Sequence, residues 1–285
     1  MTAAVLIPFA VGLVLWTPTW ALALATALVM LLALFEYFAL GDAIGHRAYR
    51  YWTATCALAL VYVQWLAAIA PSYELVGGLT FHREVGRMLG VIPTVEDVFF
   101  VFVLGVCALT LITRRPIVEA LPAAGISASG LLLVAFPLTY TVRLHGHGPD
   151  GPKLLLFALV ITWVGDSAAY FVGRAIGKRP LAPVLSPKKS WEGTVASILG
   201  ALLVAVVFAR FLTVSLPQLL AMAALGNVAG QAGDLLESAY KRSAGVKDSG
   251  SLLPGHGGVL DRIDALILAI PVVWYYWIWI YLPNR

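Results

Sequence analysis

The sequence predicts an all-α membrane protein, a polytopic bundle of transmembrane helices. Of its 285 residues, 60% are hydrophobic and only 12% are charged, and a soluble domain cannot cover that much apolar surface with so few charges. The apolar residues also come in repeated runs close to the length of a helical bilayer crossing. These observations exclude a water-soluble enzyme or binding module and make the bilayer the solvent for most of the chain.

Nine apolar runs are candidate spans. The first two are separated only by residues 17–20, so together they form either two spans or one helical hairpin. The first run has no basic flank and no convincing cleavage site, so we expect a retained span rather than a removed signal. In chain order the runs are 3–18, 20–41, 53–70, 97–113, 123–141, 154–172, 194–213, 217–237 and 263–282.

Basic residues predict the orientation of these spans. Thirteen of the 19 lysines and arginines fall in four alternate loops, and five fall on the opposite side. Because positively charged loops stay in the cytoplasm, we expect a cytoplasmic N-terminus and a C-terminus on the opposite side. The four basic loops are 42–52, 114–122, 173–193 and 238–262.

The two parts of the chain are predicted to differ in role. Residues 1–150 are hydrophobic spans with few motifs, which favours a bundle and lipid-facing scaffold. Residues 151–285 carry the two most charged loops, which are also rich in glycine, proline and serine. We therefore expect the chemistry to reside in 151–285, at the cytoplasmic face.

Acidic residues at membrane depth are the first functional signal. Asp166 lies in "TWVGDSAAYF" and Asp234 in "GNVAGQAGDLLES", both inside predicted spans. An aspartate near the centre of a span costs roughly 2.5–3.5 kcal/mol on insertion scales, and less near an interface. Each acid could simply pair with a lysine or a neighbouring helix, but intramembrane acids favour a functional site.

The helix around Asp234 carries a polar stripe. Asn227, Gln231, Asp234, Ser238 and Lys241 step by four, three, four and three residues, so they share one helix face. Small residues on the same helix admit a close approach of backbone or ligand. These residues are Gly226, Gly230 and Gly233. The stripe predicts that this helix lines a bundle interior or a wet cavity rather than lipid.

Two more acids begin the last span. Asp261 and Asp264 are three residues apart, so a helix starting there places both on one side. Asp264 could alternatively cap the helix dipole. Together with Asp166 and Asp234, they make four carboxylates at predicted cytoplasmic ends of spans, and such charges repel unless a cation lies between them. Oxygen ligands favour Mg²⁺, either alone or with a second cation in the same cluster.

Basic and glycine-rich segments supply the complementary half of a site. Lys188 and Lys189 directly precede a span, with Ser190 as the expected N-cap. Exposed amides, a helix dipole and two lysines form a natural phosphate-binding end, although attraction to anionic lipid headgroups would also explain the lysine pair. The "GHGG" stretch at 255–258 similarly lets backbone amides approach an anion.

Several other kinds of site are excluded. "GRAIGK" at 173–178 has three residues between its glycines and no Ser or Thr after Lys178, so it is not a P-loop. The sequence has no G-x-S-x-G element and no His/Cys spacing typical of zinc. No nucleic-acid partner is expected. Carboxylate-held Mg²⁺ beside phosphate cradles indicates phosphoryl or nucleotidyl transfer.

The segment 238–264, "SAYKRSAGVKDSGSLLPGHGGVLDRID", resembles the C-terminal signature of phosphatidate cytidylyltransferases, also called CDP-diacylglycerol synthases. "GDSAAYFVGRAIGK" and "LAPVLSPKKSWEGT" resemble the same family in the expected order. The resemblance covers about 155–265, and the earlier spans are similar only in being hydrophobic. Tyr240 and "DSAAYF" depart from the usual pattern without removing a charged group.

The resemblance implies transfer of a cytidylyl group from CTP to phosphatidate, giving CDP-diacylglycerol and pyrophosphate. It also implies Mg²⁺, a homodimer, and a location in a bacterial cytoplasmic (inner) membrane with the site facing the cytoplasm. The residues expected to act in catalysis are Asp234, Lys241, Arg242, Lys247, Asp248, His256, Asp261 and Arg262. Those expected to bind substrate phosphate are Ser186, Lys188, Lys189, Ser190, Ser238, Gly257 and Gly258. Asp234 and Asp261 are the expected principal metal ligands, supported by Asp166 and Asp264.

Other functions stay open at this point. An ion or solute transporter would also carry intramembrane acids, but here the acids cluster toward one face rather than forming a path across the bilayer. A CTP-dependent lipid-alcohol kinase would share the membrane helices and phosphate loops. A CDP-alcohol phosphotransferase is disfavoured because its Asp-Gly-x-x-Ala-Arg start is absent.

Overall fold

The computed structural model describes residues 2–69, 93–113, 116–252 and 257–281. It confirms the all-α prediction, because 80% of these described residues are helical. The helices are α1 (Thr2–Trp16), α2 (Thr19–Ala43), α3 (Arg50–Ile69), α4 (Val95–Ile112), α5 (Ala120–Ser129), α6 (Phe136–His145), α7 (Gly151–Ile176), α8 (Trp191–Phe208), α9 (Leu216–Ser243) and α10 (Leu260–Tyr276). Two short strands, β1 (Pro180–Ala182) and β2 (Ser186–Ser190), lie between α7 and α8.

The helices coincide with the predicted spans. Eight helical stretches within the described residues are long and apolar enough to cross a membrane. One of them, Ile117–His145, joins α5 and α6 through a π-helical segment at Gly130–Ala135. α1 is also apolar but has only 15 residues. The chain is thus a polytopic membrane protein, while the count of nine spans and the sides of the termini stay predictions.

The described residues fall into two compact units. One lies within Trp16–Pro152, and the other within Met1–Leu15 and Lys153–Arg285. In the first unit α3 packs against α2, α4 and α6. In the second unit α9 packs against both α8 and α10. The roles predicted for 1–150 and 151–285 stay predictions.

The close approach predicted from the glycines of α9 is confirmed, and α10 is the helix that approaches. A Cβ added at Gly233 would lie 2.5 Å from the backbone oxygen of Asp264, and one added at Gly230 would lie 3.3 Å from that of Ala265. A side chain at Gly233 would therefore push the two helices apart. The contact fixes the position of Asp264 beside the polar face of α9.

A buried polar network joins α7, α8 and α9. The Asn227 amide nitrogen donates to the Ser197 hydroxyl (3.0 Å) and to the Ile161 carbonyl (3.3 Å), and its oxygen accepts from Gln231 (2.8 Å). Asn227 and Ser197 are fully buried or nearly so. Because buried polar groups are costly unless they are paired, this network specifies how the three helices pack.

The loop predicted at 173–193 contains more structure than expected. β1 and β2 pair antiparallel, with Pro180 opposite Ser190 and Ala182 opposite Ser186. The Ser190 hydroxyl accepts from the Gly193 amide at 3.1 Å, which confirms Ser190 as the N-cap of α8. The hairpin carries Lys188 and Lys189 to the start of α8.

We expect Gly233→Ala to destabilise the protein. The new methyl group would meet the Asp264 carbonyl, and overpacking of this kind typically costs about 1–3 kcal/mol. The matched control is Gly125→Ala in α5, where the added Cβ meets nothing within 4 Å. Thermal unfolding in detergent should show a lower midpoint for Gly233→Ala only, and equal midpoints would contradict the close packing of α9 on α10.

Candidate active site

The acidic cavity is a space of about 370 Å³ within the second unit. Its walls come from the ends of α7, α8, α9 and α10 and from β2. The lining residues are Asp166, Ala169, Tyr170, Lys188, Lys189, Ser190, Gly193, Thr194, Ser197, Gln231, Asp234, Asp261 and Asp264. The four acids singled out in the sequence therefore line one cavity, although they are spread over almost a hundred residues of the chain.

Three of these carboxylates face one another from different helices. Asp166 on α7 and Asp234 on α9 repel each other electrostatically, and Asp264 on α10 feels the negative charge of both. One Asp264 oxygen accepts from the Ala265 amide at 2.7 Å. Burying like charges together is unfavourable unless a positive charge offsets them. The cluster is therefore stabilised by any positive charge that lies beside it.

Lys189 supplies part of that positive charge. Its ammonium contacts the Asp234 carboxylate at 2.5 Å, with both side chains about 30% exposed or slightly less. Lys188 lines the same cavity from the neighbouring position of β2 and is more exposed. The hairpin thus brings two lysines against the acids of α7 and α9.

Asp261 is the best-paired acid of the cavity. One carboxylate oxygen contacts the Lys241 ammonium at 2.6 Å. The other accepts from the Ser249 amide and hydroxyl, both at 3.0 Å, and from the Gly258 amide at 2.8 Å. Lys241 also forms an ion pair with Glu237, one helical turn earlier. Asp261, at the start of α10, therefore links Ser249 and Gly258 of the preceding connection to Lys241 of α9.

Gly257 has a backbone conformation that lets the Asp261 carboxylate approach closely. Its φ is +77°, in the left-handed region that favours glycine, and an added Cβ would lie 2.7 Å from Asp261. The amide of Gly258 was expected to approach an anion, and the anion it approaches here is the Asp261 carboxylate. The prediction that Gly257 and Gly258 bind substrate phosphate stays untested.

The donor set suits a hard divalent cation. Four carboxylates against two lysines leave a formal excess of two negative charges among the ionisable lining residues, and Mg²⁺ prefers carboxylate oxygens. Asp166, Asp234 and Asp264 line this space, whereas Asp261 would have to exchange one of its present donors. As the side chains stand, the described ranges contain no group of three or more His, Cys, Asp or Glu arranged to hold a metal.

Comparison with known protein families shows which family this chain belongs to. The cytidylyltransferase family profile matches residues 1–280. The chain belongs to the cytidylyltransferase family.

Individual relatives within the family cover less of the chain. It is 42% identical over 154 residues to a phosphatidate cytidylyltransferase of Haemophilus influenzae, covering 52% of this chain and 54% of the relative. It is 40% identical over 179 residues to that of Brucella suis (61% and 63%), and 41% identical over 138 residues to that of Bacillus subtilis (48% and 51%). These matches therefore span between half and two thirds of the relatives' length.

Other predicted site residues lie outside the lining of the cavity. Arg242 is exposed and donates to the backbone oxygens of Leu185 and Val246, both at 3.3 Å, so it fastens the hairpin to α9. Ser238 is buried in α9. The remaining residues outside the lining are Ser186, Lys241, Lys247, Asp248, Gly257, Gly258 and Arg262. His256 lies outside the described residues.

Two expectations about helix ends need correction. The segment from 238 was predicted as a loop, but α9 continues to Ser243 and keeps Lys241 on the helix. The acid in the first turn of α10 is Asp261, so the dipole-capping alternative applies to Asp261 rather than to Asp264.

Sequence reasoning missed Glu237 and Ser249. Glu237 is only 4% exposed and forms an ion pair with Lys241, which also contacts Asp261. Its spacing of four residues from Lys241 is the signal that could have identified it. Ser249 is 5% exposed, but its contact with Asp261 depends on a loop conformation that no local pattern indicates.

We expect Lys241→Met to destabilise the protein even without ligands. It would leave Asp261 and Glu237 side by side without their shared counter-charge, and breaking a buried ion pair costs about 3–5 kcal/mol. The double variant Lys241→Met/Glu237→Gln should recover part of the loss. Thermal unfolding in detergent measures both.

The control for this prediction is Lys247→Met. Lys247 is exposed in the connection after α9, so its replacement should change the unfolding free energy by no more than about 0.5 kcal/mol. If Lys241→Met unfolds at the same temperature as Lys247→Met, the ion pairs of Lys241 do not stabilise the fold.

Proposed function

We propose that this chain transfers the cytidylyl group of CTP to phosphatidate, forming CDP-diacylglycerol and pyrophosphate. The observation that carries the proposal is the convergence of acids and lysines from three separate motif segments on one cavity of a cytidylyltransferase-family membrane protein. Relatives that are about 40% identical over half of the chain or more bear the name phosphatidate cytidylyltransferase. The proposed enzyme is thus a nucleotidyltransferase of phospholipid synthesis.

The chemistry of this transfer fits the groups in the cavity. The phosphate oxygen of phosphatidate is already ionised near neutral pH, so it attacks the α-phosphate of CTP without a strong general base. The bond from the α-phosphate to the β-phosphate breaks, and pyrophosphate leaves. The protein must bring two anions together and offset the charge that develops on the leaving group.

Mg²⁺ is the proposed cofactor, alone or with a second cation. Asp234 and Asp261 would be the principal ligands, and Asp166 and Asp264 would support them. The cation would shield the phosphates from the carboxylates and withdraw charge from the leaving pyrophosphate. Lys241 now occupies one Asp261 oxygen, so Asp261 can serve as a ligand only where the cation takes over that oxygen.

Lys188 and Lys189 are the proposed nucleotide contacts. Both line the cavity beside the capped N-terminus of α8, where helix amides and dipole favour an anion. Lys189 already contacts Asp234. When substrate binds, its ammonium would exchange this carboxylate for a phosphate of the nucleotide. Lys188 is exposed and can reach the triphosphate directly.

Phosphatidate is proposed to enter sideways from the membrane. Tyr170 lines the cavity and is 58% exposed, and its neighbour Phe171 is 69% exposed on the outer face of α7. A lipid headgroup can therefore reach the cavity past α7 while its chains stay among apolar side chains. We further propose a bacterial inner-membrane location with the cavity facing the cytoplasm, and a homodimer.

The decisive experiment is an assay with detergent-purified protein, CTP labelled in the α-phosphate, Mg²⁺ and phosphatidate. The proposal requires release of pyrophosphate and transfer of the label to a lipid. Release of CDP with a newly phosphorylated lipid would indicate a CTP-dependent lipid kinase instead. Absence of any nucleotide turnover would favour a transporter.

We expect Asp261→Asn to abolish transfer of labelled CMP to lipid. The substitution removes a charge that the metal and Lys241 both need, and loss of a principal ligand should lower the rate at least a hundredfold. Asp42→Asn is the matched comparison and should keep the transfer rate, because Asp42 is exposed and lies outside the lining of the acidic cavity. Near-normal turnover of a folded Asp261→Asn variant would contradict the metal assignment.

We expect Lys188→Met to raise the KM for CTP by roughly tenfold and to leave the KM for phosphatidate nearly unchanged, since one charge-assisted phosphate contact would be lost. Lys178→Met is the matched control, because Lys178 lies before the hairpin and outside the cavity lining. Initial rates over a range of each substrate measure the effect. A rise in the KM for phosphatidate alone would assign Lys188 to the lipid.

A further inference from the structure

A second polar cavity, of about 980 Å³, lies in the unit within Trp16–Pro152. Its walls are the end of α2, the connection to α3, the first turns of α3 and the end of α4. It shares no lining residue with the acidic cavity. Because three apolar membrane-length helices begin or end around it, this cavity lies at a boundary between hydrocarbon and water.

The charge of this cavity is opposite to that of the acidic cavity. Arg47 and Arg50 line it, and Asp42 forms an ion pair with Arg50. Two arginines against one aspartate leave a formal positive charge. Arg50, Tyr51 and Trp52 form the first turn of the 20-residue helix α3, so the helix dipole adds to the attraction for an anion.

The floor of the cavity is held in place by hydrogen bonds. Tyr49 is 5% exposed, and its hydroxyl lies 2.9 Å from the Thr110 hydroxyl. Its amide donates to the Ser127 hydroxyl at 2.8 Å. The Trp52 indole donates to the Phe102 carbonyl at 3.1 Å. The cavity is therefore preformed rather than a gap between loose side chains.

A separate apolar groove, with no lining residue in common with the cavity, lies further along α2 and α3. Tyr51, at the cavity, contacts the Phe35 ring across the two helices, with ring centroids 6.4 Å apart. Further along α3, Leu58, Tyr62 and Trp65 recur on the same face as Tyr51. They line a groove of about 320 Å³ with Trp20, Ala23, Leu24, Ala27 and Val61.

The position of this groove suits a lipid chain that starts at the cavity. On α3, Leu58 lies about 10 Å and Trp65 about 21 Å beyond Tyr51, so the groove lies within the hydrocarbon core, which is about 30 Å thick. The groove surface is almost wholly apolar. A soluble phosphate compound would leave the groove empty, whereas a phospholipid would fill the cavity and the groove together.

We propose that this cavity binds the phosphodiester headgroup of an anionic phospholipid, with one acyl chain lying in the groove between α2 and α3. Arginine forms strong, often bidentate contacts with phosphate. Tyr51, which is 81% exposed, and Trp52 are residue types that favour the membrane interface. The lipid would be bound independently of the transfer reaction.

The test measures binding of dioleoyl phosphatidylglycerol to the detergent-purified full chain by native mass spectrometry, with dioleoyl phosphatidylcholine as the neutral-headgroup comparison. The double variant Arg47→Gln/Arg50→Gln should lower the preference for phosphatidylglycerol by roughly tenfold or more. Lys153→Gln/Arg210→Gln removes the same number of charges elsewhere and should keep the preference. Equal losses in both double variants would overturn the proposal, because bulk charge would then explain the binding.

Two single variants separate the site from a general folding defect. Asp42→Asn should strengthen binding of phosphatidylglycerol severalfold, because the carboxylate no longer competes for Arg50. Ala27→Phe fills the groove and should weaken binding of the dioleoyl lipid but not of its dihexanoyl analogue. Unchanged binding in both variants would overturn the proposal.

A final arm distinguishes the source of the phosphate. Millimolar inorganic phosphate should not displace phosphatidylglycerol, because it lacks the chain that occupies the groove. Full displacement would overturn the lipid assignment and indicate a site for a soluble phosphate compound.

Discussion

The site depends on one electrostatic constraint: four carboxylates share a small cavity at the ends of membrane-spanning helices. Such a cluster persists only where the surrounding structure supplies positive charge and hydrogen-bond donors. The hairpin between α7 and α8 supplies positive charge by bringing Lys188 and Lys189 to the cavity. α9 contributes Lys241, which contacts Asp261 from outside the cavity lining. The lining keeps a formal excess of negative charge, which is the basis for the proposal that the cavity binds a divalent cation and a triphosphate.

Packing and chemistry are coupled through the same helices. The Gly233 contact that brings α10 against α9 also sets Asp264 beside Asp234. Beneath them, the hydrogen bonds of Asn227 hold α7 and α8 at fixed positions. Asp261 joins helix to loop, since its oxygens contact Lys241 on one side and accept from Ser249 and Gly258 on the other. Gly233, Asn227 and Asp261 thus fix the packing of the helices that carry the site.

The sequence predicted the helices well, and the four acids that it singled out line one cavity, whereas their role as metal ligands stays a prediction. Asn227, Gln231 and Asp234 share a helix face by spacing alone, and membrane-length apolar runs leave little choice of fold class. The strands at 180–182 and 186–190 were not predicted, since they are short and polar and are fixed by tertiary contacts. Similarly, Gly258 donates to Asp261 through a loop conformation that no periodic pattern encodes. Long-range pairing in glycine-rich loops is what sequence reasoning could not supply.

The central claim is that the acidic cavity binds a divalent cation through its unbalanced carboxylates. Binding of Mn²⁺ to the purified chain, followed by electron paramagnetic resonance and competed with Mg²⁺, tests it without nucleotide or lipid. The wild-type chain should bind Mn²⁺ in a form that Mg²⁺ displaces, and Asp234→Asn should weaken that binding at least tenfold. Undiminished binding in Asp234→Asn, or none in the wild type, would contradict the claim.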